Sequence, residues 1–245
     1  MNPCKDAPGL SKDAPLGRLN DKIIRCKKCP RLVKYLNEIK QKLDVKTPQW
    51  GVSSWCKPVP SFGDINARIL IVGLAPGRFG SNRTGRMFTG DSSGDFMYKI
   101  LYEVGLCNKS ESKDINDGLV LKNCYITAVG RCAPPQNKPT PKELANCFPY
   151  FVEELKLLKN IKVVIALGKI AFDGYVKWGM KNSVESQFIA TIKKKDFKFS
   201  HGAIYEKEFP HILIASYHPS RQNTQTGRLT PRMFKDIFIN AIECC

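Results

Sequence analysis

Four short apolar runs punctuate the chain: Arg68–Gly73 (RILIVG), Cys124–Val129 (CYITAV), Val163–Leu167 (VVIAL) and His211–Ser216 (HILIAS). Runs this short and continuous read as strands buried on both faces. Helical periodicity fills the intervals at Asp95–Val104, Pro141–Lys159, Lys169–Trp178 and Pro231–Glu243. Pro141 and Pro231 suit first-turn positions, and Thr140 and Thr230 before them suit N-caps. One further helix is expected over Arg18–Lys42, with Cys26 and Cys29 embedded in it. Alternating strands and helices imply a three-layer α/β/α fold around a central four-stranded, mainly parallel sheet. No internal repeat or boundary divides the chain. Residues 1–18 are expected to form a flexible arm and residues 19–245 a single domain.

Charge narrows the list of partners. Lys and Arg number 39 against 22 Asp and Glu, a formal charge of +17. Such an excess suits a polyanion, nucleic acid first, although a solvated basic surface gives the same count. Lys193–Ser200 (KKKDFKFS) alternates phenylalanine with lysine and reads as an edge strand or hairpin. Its lysines either face nucleic acid or blunt a sheet edge against aggregation. No apolar run is long enough to span a bilayer. The N-terminal stretch carries charges and prolines where a secretory signal needs apolar residues, so a cytoplasmic, nucleoid-associated location is expected.

Ten cysteines in a reducing compartment argue for metal ligation before disulfides. Cys26 and Cys29 form a CxxC pair, and Cys132 and Cys147 form a second pair with fourteen residues between them. Four thiolates suit zinc or an iron–sulfur cluster, and spacing alone leaves both open. The remaining six cysteines read as small buried groups or free thiols.

Ligands of open α/β sheets sit beyond the carboxyl ends of the strands, so the loops there carry the chemistry. The stretch from Gly73 to Asp91 holds five glycines and three arginines, which bring backbone N–H groups and positive charge to a ligand. It matches neither a P-loop nor a dinucleotide fingerprint. The loop from Ser216 to Thr230 is largely polar, with His218 near its start.

In these loops GLAPG…NRTGRMFTGD and SYHPSRQNTQTGRLT, with the CxxC pair and GRCAPPQNKPTP, resemble the uracil-DNA glycosylase superfamily, specifically its broad-specificity family 5. The resemblance runs from about Arg25 to the end. Two places depart from the usual pattern: Arg78-Phe79 stand where a small residue and histidine are usual, and Met87 where proline is usual. The resemblance implies a uracil-DNA glycosylase-like fold and a structural [4Fe–4S] cluster on Cys26, Cys29, Cys132 and Cys147, with structural zinc as the alternative. It also implies an enzyme that flips a deaminated base, uracil or hypoxanthine, out of DNA. Hydrolysis of the N-glycosidic bond would leave an abasic site and begin base-excision repair.

Base release needs a pocket for the base, a positioned water and a donor for charge growing on the leaving ring. Asp91 suits the water, although a helix cap beginning at Ser92 would explain it equally. His218 suits the donor, against the structural role of most histidines. Phe88 would stack on the flipped base, or else fill the core. Asn137 is similar to a family asparagine near the water or base edge, or is a turn residue between prolines. Gly73 and Gly77 would line the pocket through their backbones. Arg83, Arg221 and Gln222 would grip DNA, the last two by entering the gap left by the base or by holding phosphates. The partner implied is DNA containing deaminated bases; a sliding clamp is a further candidate, and a monomer is the expected state. A non-catalytic DNA-binding protein is one rival reading, and it gives Asp91 no reason to matter; another iron–sulfur enzyme is the second, but a redox protein should show more cofactor-binding signal and a metal nuclease clustered carboxylates.

Overall fold

The computed structural model describes residues 14–46, 54–182 and 196–245. Its strands are β1 (Phe62–Gly63), β2 (Ile69–Gly73), β3 (Cys124–Ala128), β4 (Val163–Leu167), β5 (Ile204–Tyr205) and β6 (Ile212–Ser216). Its helices are α1 (Pro15–Ile24), α2 (Pro30–Lys46), α3 (Ser81–Thr84), α4 (Ser92–Glu103), α5 (Pro141–Leu157), α6 (Lys169–Asn182), α7 (Arg221–Gln225) and α8 (Pro231–Glu243).

Strand periodicity decides the layering. In β2, Ile69 and Ile71 join one apolar cluster and Leu70 and Val72 the other, and in β4 Ile165 and Val164 divide the same way. Every one is fully buried, so the sheet needs cover on both faces. Met97 and Leu101 of α4 and Phe234 and Phe238 of α8 cover one face. Phe151 of α5 and Phe172 and Tyr175 of α6 cover the other. The strand order is β1-β3-β2-β4-β6-β5, with the four inner strands parallel and both edges antiparallel. The connection from β2 goes to β3 on one side, and the chain then crosses to β4 on the other. That reversal opens a crevice at the carboxyl ends of β2 and β4.

Four expectations need correction. The sheet has six strands rather than four, because β1 and β5, at two residues each, are too short to leave a periodic signature. Lys193–Ser200 is not an edge strand over its described part, residues 196–200; residues 193–195 lie outside the described residues. Phe197 instead turns inward against Phe209 and Tyr205, and Phe199 packs on Phe172. The helix expected over Arg18–Lys42 is two helices. Pro30 opens α2, a residue that has no N–H to give and suits a first turn. Cys26 and Cys29 therefore lie in the break, not within a helix. Of the stretch expected to be an arm, Pro15 onward is already α1, whose Leu16 and Leu19 are buried.

Helix starts follow the caps read from sequence. Thr140 and Glu143 form a reciprocal capping box on α5, and Thr230 accepts from Met233 N–H at 3.2 Å on α8. Arg31 of α2 grips the same Glu143 through two bonds of 2.7 Å, tying α2 to α5. Two ion pairs among the described residues are largely shielded from solvent. Arg131, buried beyond β3, pairs with buried Glu154 of α5, and Ser61 and Thr127 complete the network. Arg86 pairs with Asp117 at 2.5 Å.

Candidate active site

Beyond β2 the backbone is shaped by close approaches. A Cβ at Gly73 would stand 2.9 Å from the Phe88 ring, so the bare glycine lets that ring lie across the strand end. Phe88 holds a left-handed backbone, φ 52°, and its N–H donates to Ser81 Oγ at 2.9 Å. Its ring stacks on the imidazole of His218, centroids 5.8 Å apart and planes 29° from parallel. Two loops, from β2 and from β6, are thereby brought face to face.

Asp91 stands three residues after Phe88. Its Oδ1 accepts from the N–H groups of Ser93 and Gly94, both at 3.1 Å, and so caps α4. Oδ2 faces Gly77 and Gly80, where a Cβ on Gly80 would collide with it. Among the described residues Oδ2 accepts no hydrogen bond, which leaves an acceptor available to a ligand or water. Burial raises the Asp91 pKa above the usual carboxylate value, the two capping N–H groups oppose that, Asp95 adds to it and Arg83 subtracts. The expected cap and the expected free carboxylate are thus two oxygens of one side chain.

His218 is fixed through its backbone. Asn223 Nδ2 donates to its carbonyl at 2.8 Å, and Gly168, in a left-handed turn after β4, lies against its Cβ. Next door, Tyr217 donates its N–H to His201 Nδ1 at 3.2 Å, stacks on that ring and carries the Arg228 guanidinium 4.4 Å over its own. His218 is half-buried as a residue, and the protein packed around its imidazole pushes the pKa down to about 4. It is neutral at pH 7, with one N–H to donate.

The remaining expected residues are distributed unevenly. Arg83 donates to the carbonyls of Phe79 (2.9 Å) and Gly90 (3.3 Å) and braces the loop. Arg86, one of the three loop arginines, is turned inward on Asp117, Ser112 and Thr89. Arg221 and Gln222 are exposed on the first turn of α7. Asn137 is exposed at the end of a 3-10 turn, Pro135–Asn137, in which it and Gln136 both have φ 56°. No contact among the described residues joins Asn137 to the Phe88–His218 pair, although its loop starts beside the site through Val129 N–H to Gly73 O at 3.1 Å.

The chain has known relatives. The family model described as the uracil DNA glycosylase superfamily matches residues 60–241. The chain belongs to that superfamily. A type-5 uracil-DNA glycosylase of Thermus thermophilus is 47% identical over 217 residues, covering 88% of this chain and 92% of the relative. One from Pyrobaculum aerophilum is 38% identical over 221 residues, covering 90% and 89%. A type-4 uracil-DNA glycosylase of Archaeoglobus fulgidus is 31% identical over 169 residues, covering 66% and 70%. The chain is therefore a DNA glycosylase, a hydrolase of the bond between base and sugar. No helix among the described residues is long and apolar enough to cross a membrane.

In this glycosylase the four cysteines gather at one corner. Burial raises Cys132, and Cys147, Cys26 and Cys29 raise it further by their charge; Cys147 is raised by burial and likewise feels Cys29 and Cys26. Among the described residues no three or more of His, Cys, Asp and Glu are arranged to hold a metal ion. Donors nevertheless point at the sulfurs: Asn146 Nδ2 at 3.4 Å from Cys29 Sγ, and the Arg131 backbone N–H at Cys147.

Sequence reasoning missed Gly80, Gly168 and Asn223 in the glycosylase. The signal for Gly80 was present, since it lies in the glycine-rich loop already singled out. Asn223 stands five residues after His218, a spacing that means nothing until α7 turns it back.

Proposed function

We propose that the glycosylase turns a deaminated base, uracil foremost and hypoxanthine with it, out of DNA and hydrolyses its N-glycosidic bond. The abasic site left behind opens base-excision repair. Supporting this is one observation: Phe88, beyond β2, stacks on the imidazole of His218, beyond β6, and Asp91, three residues after Phe88, turns one carboxylate oxygen toward Gly77 and Gly80 of the same loop. The relatives' names as uracil-DNA glycosylases point the same way.

Bond cleavage makes an oxocarbenium-like sugar and sends electrons onto the base. Asp91 Oδ2 accepts a hydrogen bond from the attacking water and offsets positive charge on the sugar. His218 donates its N–H to a base carbonyl as negative charge grows there; a neutral imidazole does so without giving up its proton. Phe88 stacks on the extruded base, and Gly73 and Gly77 line the site through their backbones, Gly73 leaving room for the Phe88 ring and Gly77 for the Asp91 carboxylate. Asn137, exposed on the loop after β3, serves the base edge or the water. Arg221 and Gln222 enter the gap or grip phosphates, and Arg83 contributes positive charge at the rim.

The four thiols fit a [4Fe–4S] cluster in number, softness and N–H donors to sulfur; zinc would use the same donors. Cys26, Cys29, Cys132 and Cys147 would hold it, where it would tie the break between α1 and α2 to the loop beyond β3. It takes no part in the hydrolysis. Iron and sulfide analysis of purified protein separates the two metals. The protein acts as a cytoplasmic, nucleoid-associated monomer, with a sliding clamp as a candidate partner.

The test is incubation with uracil- and hypoxanthine-containing DNA followed by detection of abasic sites, with Asp91→Ala alongside. Cleavage by the wild type and severe loss in the variant, with DNA binding retained, is the expected result. Salt-sensitive binding without base release would mark a non-catalytic DNA-binding protein instead.

A further inference from the structure

Phe79 is the most exposed of the large apolar side chains among the described residues, at 59% of its surface. A phenylalanine ring facing water is unfavourable in proportion to the apolar surface it leaves uncovered. The position is not incidental. Phe79 lies between Gly77 and Gly80, the two glycines pressed against Asp91 Oδ2, so it stands on the rim of the candidate pocket. Its backbone is pinned, because its carbonyl accepts from Arg83 Nε at 2.9 Å. The guanidinium of Arg78 lies over one face of the ring, 4.9 Å from the centroid. Arg78 Nε, a buried donor, has no acceptor among the described residues.

A rigidly held aromatic ring with a cation behind it and its surface open is a platform for a flat, electron-rich ring. An adjacent N–H donor without a partner supplies a place for an anionic or carbonyl oxygen. We propose that Arg78 and Phe79 form a shelf on which the nucleobase neighbouring the extruded one stacks, with Arg78 Nε donating to that nucleotide. The shelf keeps the DNA from closing over the gap. This rests on the reading of the Asp91 loop as the base pocket.

The experiment uses the full chain and a duplex with a stable abasic-site analogue, carrying the fluorescent base 2-aminopurine on one side of the analogue or the other. Because no bond is cut, the readout does not depend on catalysis. Wild type and Phe79→Trp are expected to change 2-aminopurine fluorescence on one side, by stacking. Phe79→Ala is expected to abolish that change and weaken binding about tenfold, within the range that one base–aromatic stack supplies. Arg78→Gln, which keeps some length but loses the charge and Nε–H, is expected to weaken binding in the same duplex. Unchanged affinity and fluorescence in Phe79→Ala would overturn the proposal, as would an affinity loss with the stacking signal intact. If Asp91→Ala cleaves like the wild type while the stacking signal behaves as expected, the pocket reading fails and the shelf survives.

Discussion

The candidate site around Asp91, Phe88 and His218, the pocket of the proposed function, and the cysteine corner are both assembled from loops, yet they are held in opposite ways. Around the pocket, atoms of the backbone and ring touch at van der Waals limits: Gly73 beneath Phe88, Gly80 against Asp91, Gly168 under His218. Strand ends that are fully buried anchor each of these loops. The corner has thin apolar cover, chiefly Leu19, Ile23 and Tyr150, with the Arg31–Glu143 pair across it. Its four thiols would repel one another once ionised. The pocket should therefore keep its shape when its chemistry is removed, whereas the corner's shape should depend on what its sulfurs bind.

Asp91→Asn gives the strongest test of the first half. Asparagine caps a helix as well as aspartate does, so α4 keeps its N-terminus. Burial raises the Asp91 pKa, so the folded state favours the protonated form; that stability is present below the unfolded value near 3.8 and is lost as pH rises through the folded value. At neutral pH the ionised carboxylate is a cost, and the amide removes it. The expectation is a fall in cleavage of about 10³-fold with an unfolding midpoint that is unchanged or higher. A variant that cleaves well would show that the carboxylate only caps.

Between the two regions lies the buried Arg131–Glu154 pair, one residue from Cys132 in sequence. Glu154→Leu leaves the Arg131 guanidinium buried and unpaired, a loss of about 3–5 kcal/mol in urea unfolding. A loss below about 1 kcal/mol would mean that water reaches Arg131. Cys147→Ser should act more weakly but more locally. It is expected to lose metal and lower the melting midpoint by about 5 °C, equivalent to roughly 2 kcal/mol at this size. An unchanged midpoint, measured on protein shown to lack metal, would mean that the corner needs no ligand to hold its shape.

The contrast also explains what could be read without coordinates. Five-residue apolar runs such as Val163–Leu167 announce buried parallel strands because no other short element needs unbroken apolar sequence. Two-residue strands such as Ile204–Tyr205 carry no such signal; their neighbours place them. The positive charge total counted Arg86 and Arg131 with the surface, since their partners Asp117 and Glu154 are distant in sequence and meet them only on folding. Phe197 looked like one face of a strand and is one corner of an aromatic cluster. The meeting of Phe88 and His218 was legible through motifs on two loops, and Asn137, chosen by the same reasoning, does not join them among the described contacts.

The smallest expected effect sharpens the pocket's side of the comparison. If Asp91 must be ionised to hold water, the acid limb of kcat/KM follows its pKa. Asp95, on the first turn of α4, raises that pKa by its negative charge, and Arg83 lowers it. Asp95→Asn should move the limb to lower pH and Arg83→Gln to higher pH, each by a small amount, since a neighbouring charge is a lesser cause than burial. Burial alone pushes the His218 pKa down to about 4, with no part played by Asp95 or Arg83, so a limb that follows both substitutions is that of Asp91. A limb that neither substitution moves belongs to another group, and the water would then need a different acceptor from Oδ2 of Asp91.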